Sequence, residues 1–218
     1  MRYLPLISCF FLFSGCGRLY SNLKKTKIDQ ACLQKFAPVY SSLLFTAGIE
    51  VSGKHLSGLL VIKKMPDSSV RLVFSSQSGP GLFDFGFSGT GDFKVYQIIS
   101  QLDKKPVIKT LRKDFELVLM LGLSYDRAYG LEDDSLHYFA FPREIGFYYY
   151  ITDSSCTRLV RMQRASKRKV VVEAIIQNGL SGMPDSIGIS HKNFHFDIGL
   201  KRIGRETEEN RDGSRDHD

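Results

Sequence analysis

From Leu44 onward the apolar positions recur every second residue, the period of a half-buried strand. Leu44 to Val51 places Phe45, Ala47, Ile49 and Val51 on one face. Leu56 to Lys64 follows, carrying Leu60 and Ile62, and the Met-Pro-Asp-Ser sequence before Ser69 signals a turn. Val70 to Ser75, with Leu72 and Phe74, pairs back naturally. Ser78-Gly79-Pro80-Gly81 turns again into Leu82 to Phe87, where Phe83, Phe85 and Phe87 alternate with Asp84 and Gly86. Gly89-Thr90-Gly91-Asp92 leads into Phe93 to Ile99. Strands of this length joined by turn chemistry predict an antiparallel meander.

The period then changes. Asp103 as cap and Pro106 in the first turn open a helix running from about Pro106 to Leu121. Ile108, Leu111, Phe115, Val118 and Gly122 sit at helical spacing, and Val107, Leu117, Leu119 and Met120 broaden the apolar face. Ser124 to Asp134 reads as a polar loop. Six strands follow: Leu136 to Phe141, Ile145 to Ile151, Thr157 to Gln163, Lys169 to Ile176, Ser186 to Ser190 and Asn193 to Ile203. A short N-terminal helix, Ile28 to Ala37, turns Ala31, Cys32 and Phe36 inward and ends at Pro38.

The fold class is therefore mainly β: about eleven strands in one curved antiparallel sheet, with a short N-terminal helix and an internal helix. A sheet of that size must curl. The expected form is an open half-barrel whose internal helix covers the mouth as a lid. The predicted cavity is lined by Phe45, Ile49, Leu60, Ile62, Leu72, Phe74, Phe83, Phe85 and Phe87 from the strands, and by Leu111, Phe115 and Val118 from the helix. If the cavity takes a ligand, the helix has to move to admit it.

The first sixteen residues change the picture. Arg2 precedes an apolar stretch from Tyr3 to Phe13, too short to span a bilayer as a helix. It has the length of a secretory signal core and meets a small-residue site at Ser14-Gly15. With Cys16 directly behind, it resembles a bacterial lipoprotein signal, cut before Cys16 and acylated on that thiol. An ordinary signal peptide and a buried N-terminal strand are the competing readings. The expected organisation is a signal over 1–15, a tether over 16–27, the half-barrel domain over 28–203 and a disordered charged tail over 204–218.

The 218 residues carry a net charge of +7; removing Arg2 with the signal, and the tail from Arg205, leaves a body of +9. Such a body could attract nucleic acid or an anionic membrane face. Export argues against nucleic acid. The basic residues are scattered in short runs near turns, which reads mostly as solvated rims. Cys32 and Cys156 remain after Cys9 leaves with the signal and Cys16 is acylated. In an oxidising compartment a disulfide between them could persist; two buried free thiols fit the sequence equally.

Catalytic and metal motifs are weak. Gly48-Ile49-Glu50-Val51-Ser52-Gly53-Lys54 imitates a phosphate loop, but His55 replaces the Ser or Thr and strands fill the segment. His191, His195 and Asp197 look like metal ligands. On a strand, histidines four residues apart stand about 13 Å apart, so they read as outward-facing polar residues. Gly179-Leu180-Ser181-Gly182 lacks the spacing of a nucleophile elbow. Tyr148-Tyr149-Tyr150 reads as core plus rim. Leu180 and Met183 read as packing within a turn-rich loop. No constellation supports an enzyme, and none implies a cofactor.

Phe45-Thr46-Ala47-Gly48-Ile49-Glu50-Val51-Ser52-Gly53, then Leu56-Ser57-Gly58-Leu59-Leu60-Val61-Ile62, then Val70-Arg71-Leu72 through Gly79-Pro80-Gly81, resembles the bacterial lipoprotein-localisation fold. A periplasmic lipoprotein carrier and its outer-membrane lipoprotein receptor share that fold. The resemblance covers about residues 28 to 203, and includes the helix after the fifth strand. It implies an open half-barrel that binds acyl chains inside. The anchored N-terminus is more similar to the receptor. Gly17-Arg18-Leu19 contains no acid, which by analogy with lipoprotein sorting suggests the periplasmic face of the outer membrane. The implied partners are membrane lipid through acylated Cys16, acyl chains or a client lipoprotein, and a periplasmic carrier. The alternative is an anchored structural or assembly subunit of an envelope complex, with a core filled by its own side chains.

Overall fold

A computed structural model describes residues 17–39, 41–51, 53–178 and 184–203. The expected signal, Cys16, the loop carrying Leu180 and Met183, and the tail 204–218 lie outside the described residues.

One sheet of thirteen antiparallel strands dominates, about 51% of the chain, curved and not closed into a barrel. Five strands precede the long helix as expected: β2 (Ser42–Val51), β3 (Lys54–Lys64), β4 (Val70–Ser76), β5 (Gly81–Phe87) and β6 (Phe93–Ile98). Six follow as expected: β8 (Leu136–Pro142), β9 (Phe147–Asp153), β10 (Leu159–Ala165), β11 (Val170–Asn178), β12 (Pro184–His191) and β13 (Phe196–Arg202). The two additional strands are β1 (Lys24–Thr26) and β7 (Tyr129–Glu132), which pair with each other. Both are short and carry no long alternation of apolar and polar residues, so period alone does not find them.

Strand order explains where the long helix lies. Reading across the sheet, β6 is one edge, while β7 stands at the far side, between β8 and the edge strand β1. β13 pairs with β2 and joins the two meanders. The chain must therefore cross from one side of the curved sheet to the other between β6 and β7. The helix α2 (Lys105–Val118) makes that crossing on the inner face, so the helix lies over the mouth.

α2 begins where the sequence suggests but is capped differently. Its cap is Lys104, with no side-chain hydrogen bond, and Pro106 sits in the first turn; Asp103 does not cap it. The helix ends at Val118 rather than Leu121. Met120 adopts a left-handed backbone, and the Leu121 N–H donates to the Glu116 carbonyl at 2.9 Å, closing the last turn.

α1 is also shorter than expected, Gln30–Gln34. Asp29 caps it by accepting from the Cys32 N–H at 3.1 Å. Cys32 and Leu33 face the core, whereas Ala31 is exposed. Cys32 is bonded to Cys156 across 124 residues, with Cα atoms 5.8 Å apart. This tie pins α1 to the β9–β10 turn, and bridges of such loop length contribute about 2–5 kcal/mol.

The segment expected as a tether lies against the sheet from Leu19 onward. Leu19, Tyr20 and Leu23 cover the outer face of β8 and β9, beside Tyr138, Ala140, Tyr149 and Ile151. Tyr20 stacks within 4.9 Å of Tyr138 and 5.1 Å of Tyr149. Strands β8 and β9 are thus buried on both faces, and their burial runs continuous where β2 alternates strictly. All three of Tyr148, Tyr149 and Tyr150 are buried, so this stretch has no rim residue.

Candidate functional site

The inner face is built in rows set by strand register. In the half formed by β2 to β5, Phe45, Leu60, Phe74 and Phe83 are successive partners across four strands. The next row is Leu43, Ile62, Leu72 and Phe85. Phe83 and Phe85 stack with centroids 4.4 Å apart, and Phe83 meets Phe115 of α2 at 6.3 Å. Every residue expected to line a cavity is brought into one apolar cluster: Ile49 and Phe87 with the rows above, and Leu111, Phe115 and Val118 from α2. None of these is more than 5% exposed. The apolar side chains of α2 thus pack into the interior of the curved sheet.

The other half differs. There the register aligns Phe141, Tyr148, Arg164, Val172 and His191 in one row across β8 to β12. Three of the five carry polar groups, and α2 answers them. His191 Nε2 lies 2.8 Å from Asp114 Oδ2, both side chains fully buried, and Arg164 Nη1 is 3.5 Å from Asp114 Oδ1. Glu116 accepts from Arg112 Nε at 2.6 Å, from Tyr148 Oη at 3.2 Å and from Arg143 Nη2 at 3.4 Å. Tyr150 Oη donates to the Leu117 carbonyl at 3.1 Å, and Arg143 Nη1 to the Gly122 carbonyl at 2.6 Å. Burial raises the Tyr148 and Tyr150 hydroxyls well above their ordinary pKa, so both remain hydrogen-bond donors.

His191 therefore points inward, contrary to the outward placement expected for it. The missed signal is period two: Ile187, Ile189 and His191 share the inner face of β12. Asp114 likewise falls three residues after Leu111 and four before Val118, on the helix's own buried stripe. An acid in that stripe needs a buried partner, and β12 supplies one. His195 is exposed and stands apart from His191, near Glu50, His55 and Asp197. No group of three His, Cys, Asp or Glu side chains suited to a metal occurs among the described residues. The phosphate-loop look-alike is the β2–β3 hairpin, with Gly53 in the left-handed region at its turn.

An open, curved antiparallel sheet with a helix laid over its mouth defines the architectural class, a LolA-like fold. A solved LolA superfamily protein from Nitrosomonas europaea superposes with a TM-score of 0.54, at 9% identity, over 82% of this chain and 93% of that one. A protein described as an outer membrane lipoprotein-sorting protein domain from Vibrio parahaemolyticus gives 0.46 at 10% identity, covering 83% and 92%. A DUF1329 family protein from Desulfovibrio piger gives 0.43 at 10% identity, covering 82% and 92%. At these identities the likeness is one of fold. No family model matches the sequence, and no curated protein matches it.

Proposed function

We propose that the protein is an envelope lipoprotein that binds acyl chains, free or on a client lipoprotein, inside the half-barrel. The observation that carries this is the asymmetric closure of the mouth. One amphipathic helix seals an aromatic inner face, and its polar fastenings lie on the β8 to β12 side. Against β2 to β5 only apolar contact holds it. An acyl chain offers the same apolar contact, so it can replace α2 there without leaving a buried polar group unpaired. The disulfide supports an oxidising compartment. Cys16 is the anchor in this reading, holding the protein to the periplasmic face of the outer membrane, where a periplasmic carrier could deliver clients. Transfer between apolar cavities requires no covalent step.

A filled interior favours the second reading, a structural or assembly subunit with no ligand. Acyl-chain analysis separates the two. Cys16→Ala protein has no acyl group of its own and should carry extractable fatty acyl chains, or take up a fluorescent fatty acid after delipidation. A cross-link holding α2 to β5 should abolish uptake. Absence of bound chains together with no uptake by the unlocked protein would leave the subunit reading. The anchor has its own test: Cys16→Ala should lose labelling by a fatty-acid probe and be released from membranes.

A further inference from the structure

On the solvent side of α2, away from the apolar interior, a groove of about 570 Å³ runs between the helix, the β8–β9 turn and the start of β6. Its walls carry Lys105, Lys109, Arg112, Lys113, Arg127 and Arg143 against only Glu116 and Glu144, a net charge of +4. Glu116 is already engaged by Arg112, Arg143 and Tyr148. Lys105, Lys109, Lys113 and Arg127 have no carboxylate partner among the described residues.

This arrangement costs stability. Lys105, Lys109 and Lys113 follow one another at four-residue spacing, so like charges stack along a single stripe of the helix. The stripe also occupies the first turns, with no acid there to complement the helix dipole. Lys113 is held below its ordinary pKa by burial first, then by Arg164 and Lys109. A bound anion would offset the like-charge repulsion along this stripe and the clash with the helix dipole.

The groove also has an apolar side. Phe93 and Ile108 line it, and Arg112 lies over the Phe93 ring at 5.2 Å. Ile145 is 64% exposed at the tip of the β8–β9 turn. That tip is fixed: Arg143 N–H donates to the Gly146 carbonyl at 3.0 Å, and Gly146 is left-handed. A Cβ there would stand 2.2 Å from the Ala165 carbonyl oxygen. Cations beside fixed apolar side chains suit an amphiphile with a negatively charged head.

We infer that this groove binds a phosphate group carrying net negative charge, with Lys109, Lys113 and Arg127 as its principal cations and the Phe93–Ile108–Ile145 side receiving any adjoining apolar part. The site lies outside the interior cavity, so it does not depend on acyl chains entering the half-barrel. The shared chemistry is phosphate, which a phospholipid headgroup or free phosphate could present.

The test is titration of the full chain with dihexanoyl phosphatidylglycerol below its micelle concentration, with dihexanoyl phosphatidylcholine, and with inorganic phosphate. Phosphatidylglycerol should bind at least tenfold more tightly than phosphatidylcholine and weaken as salt rises. Lys109→Gln/Lys113→Gln should lower that affinity at least tenfold, and Arg127→Gln about threefold. The thermal midpoint of each variant should stay level or rise, since a repulsive stripe has been relieved. Displacement of the lipid by millimolar phosphate would identify free phosphate as sufficient. Failure to displace would assign the site to a lipid head; both support a phosphate site. Equal affinity for the two lipids, or undiminished binding by the double variant, would overturn it. Uptake of fluorescent fatty acid, measured on the same variants, should be unchanged, so this inference and the acyl-chain reading can fail separately.

Discussion

The two halves of the inner face do the same geometric job with different chemistry. Across β2 to β5 the helix meets rows of Phe, Leu and Ile with no polar atom to satisfy. Across β8 to β12 it meets Tyr148, Tyr150, Arg164 and His191, each bonded to or facing a polar group of α2. Apolar contact is non-directional and can be transferred to any apolar replacement. A buried hydrogen bond or ion pair cannot be given up without leaving its partner unsatisfied. The polar side therefore fixes the helix, and the phenylalanine side is where a hydrophobic ligand can compete. The outer face strengthens the contrast. β8 and β9 are covered from outside by Leu19, Tyr20 and Leu23, whereas β2 shows exposed residues at alternate positions.

The largest expected effects attack each half at its centre. Phe85 is fully buried, and Phe85→Ala should cost about 3–5 kcal/mol in urea unfolding. A much smaller loss, with reduced fatty-acid uptake, would mean that this half is loosely packed and already open. Asp114→Ala should cost a similar 3–5 kcal/mol, because it strands His191 beside Arg164. Asp114→Ala with His191→Leu should recover part of that loss. A double variant no more stable than the single one would show that the ion pair does not fasten the helix.

Cys32→Ser with Cys156→Ser should lower stability by about 2–5 kcal/mol without altering uptake, since the bridge ties α1 rather than α2. Tyr150→Phe should cost about 0.5–1.5 kcal/mol by removing the hydroxyl's bond to the Leu117 carbonyl, which keeps its bond from the Met120 N–H. It should also speed amide exchange over Phe115 to Val118. Unchanged exchange there would show that this hydroxyl does not fasten the helix.

The smallest effect concerns pH. Asp153 accepts from Thr157 and Arg158 in the β9–β10 turn; the Thr157 hydroxyl bond first, and the Arg158 N–H bond next, hold its carboxyl below the ordinary 3.8. A depressed carboxylate stabilises the fold fully above that ordinary value and loses its contribution as pH falls through the folded value. Asp153→Asn should lower stability at neutral pH and, by the same amount, flatten its decline below pH 3.8. An unchanged acid profile would place the loss at other carboxylates.

Much of the β architecture was legible because period two survives wherever one face is buried and the other wet. Phe83, Phe85 and Phe87 declare their face without reference to any other strand. The same rule failed at β8 and β9, where both faces are buried and tyrosines fill both. It failed again at β1 and β7, which are too short to display a period and exist because each completes the other's hydrogen bonds. The twelve expected lining residues came from alternation and helical spacing. His191 reads as outward-facing, and Asp114 does not stand out, because a histidine and an acid ordinarily belong outside, even though both lie in register with apolar neighbours.

The sequence by itself determined which segments form most of the strands, where the long helix falls and which apolar side chains turn inward, because these depend on periodicities local to each segment. Only the tertiary structure decided the partners. It joined Cys32 to Cys156, laid the N-terminal segment on β8 and β9, aligned Tyr148, Arg164 and His191 beneath the helix, and gathered the lysines of α2 with Arg127 and Arg143. Each of these pairs residues far apart in the chain. Local periodicity carries no information about such distances; strand order and register set them.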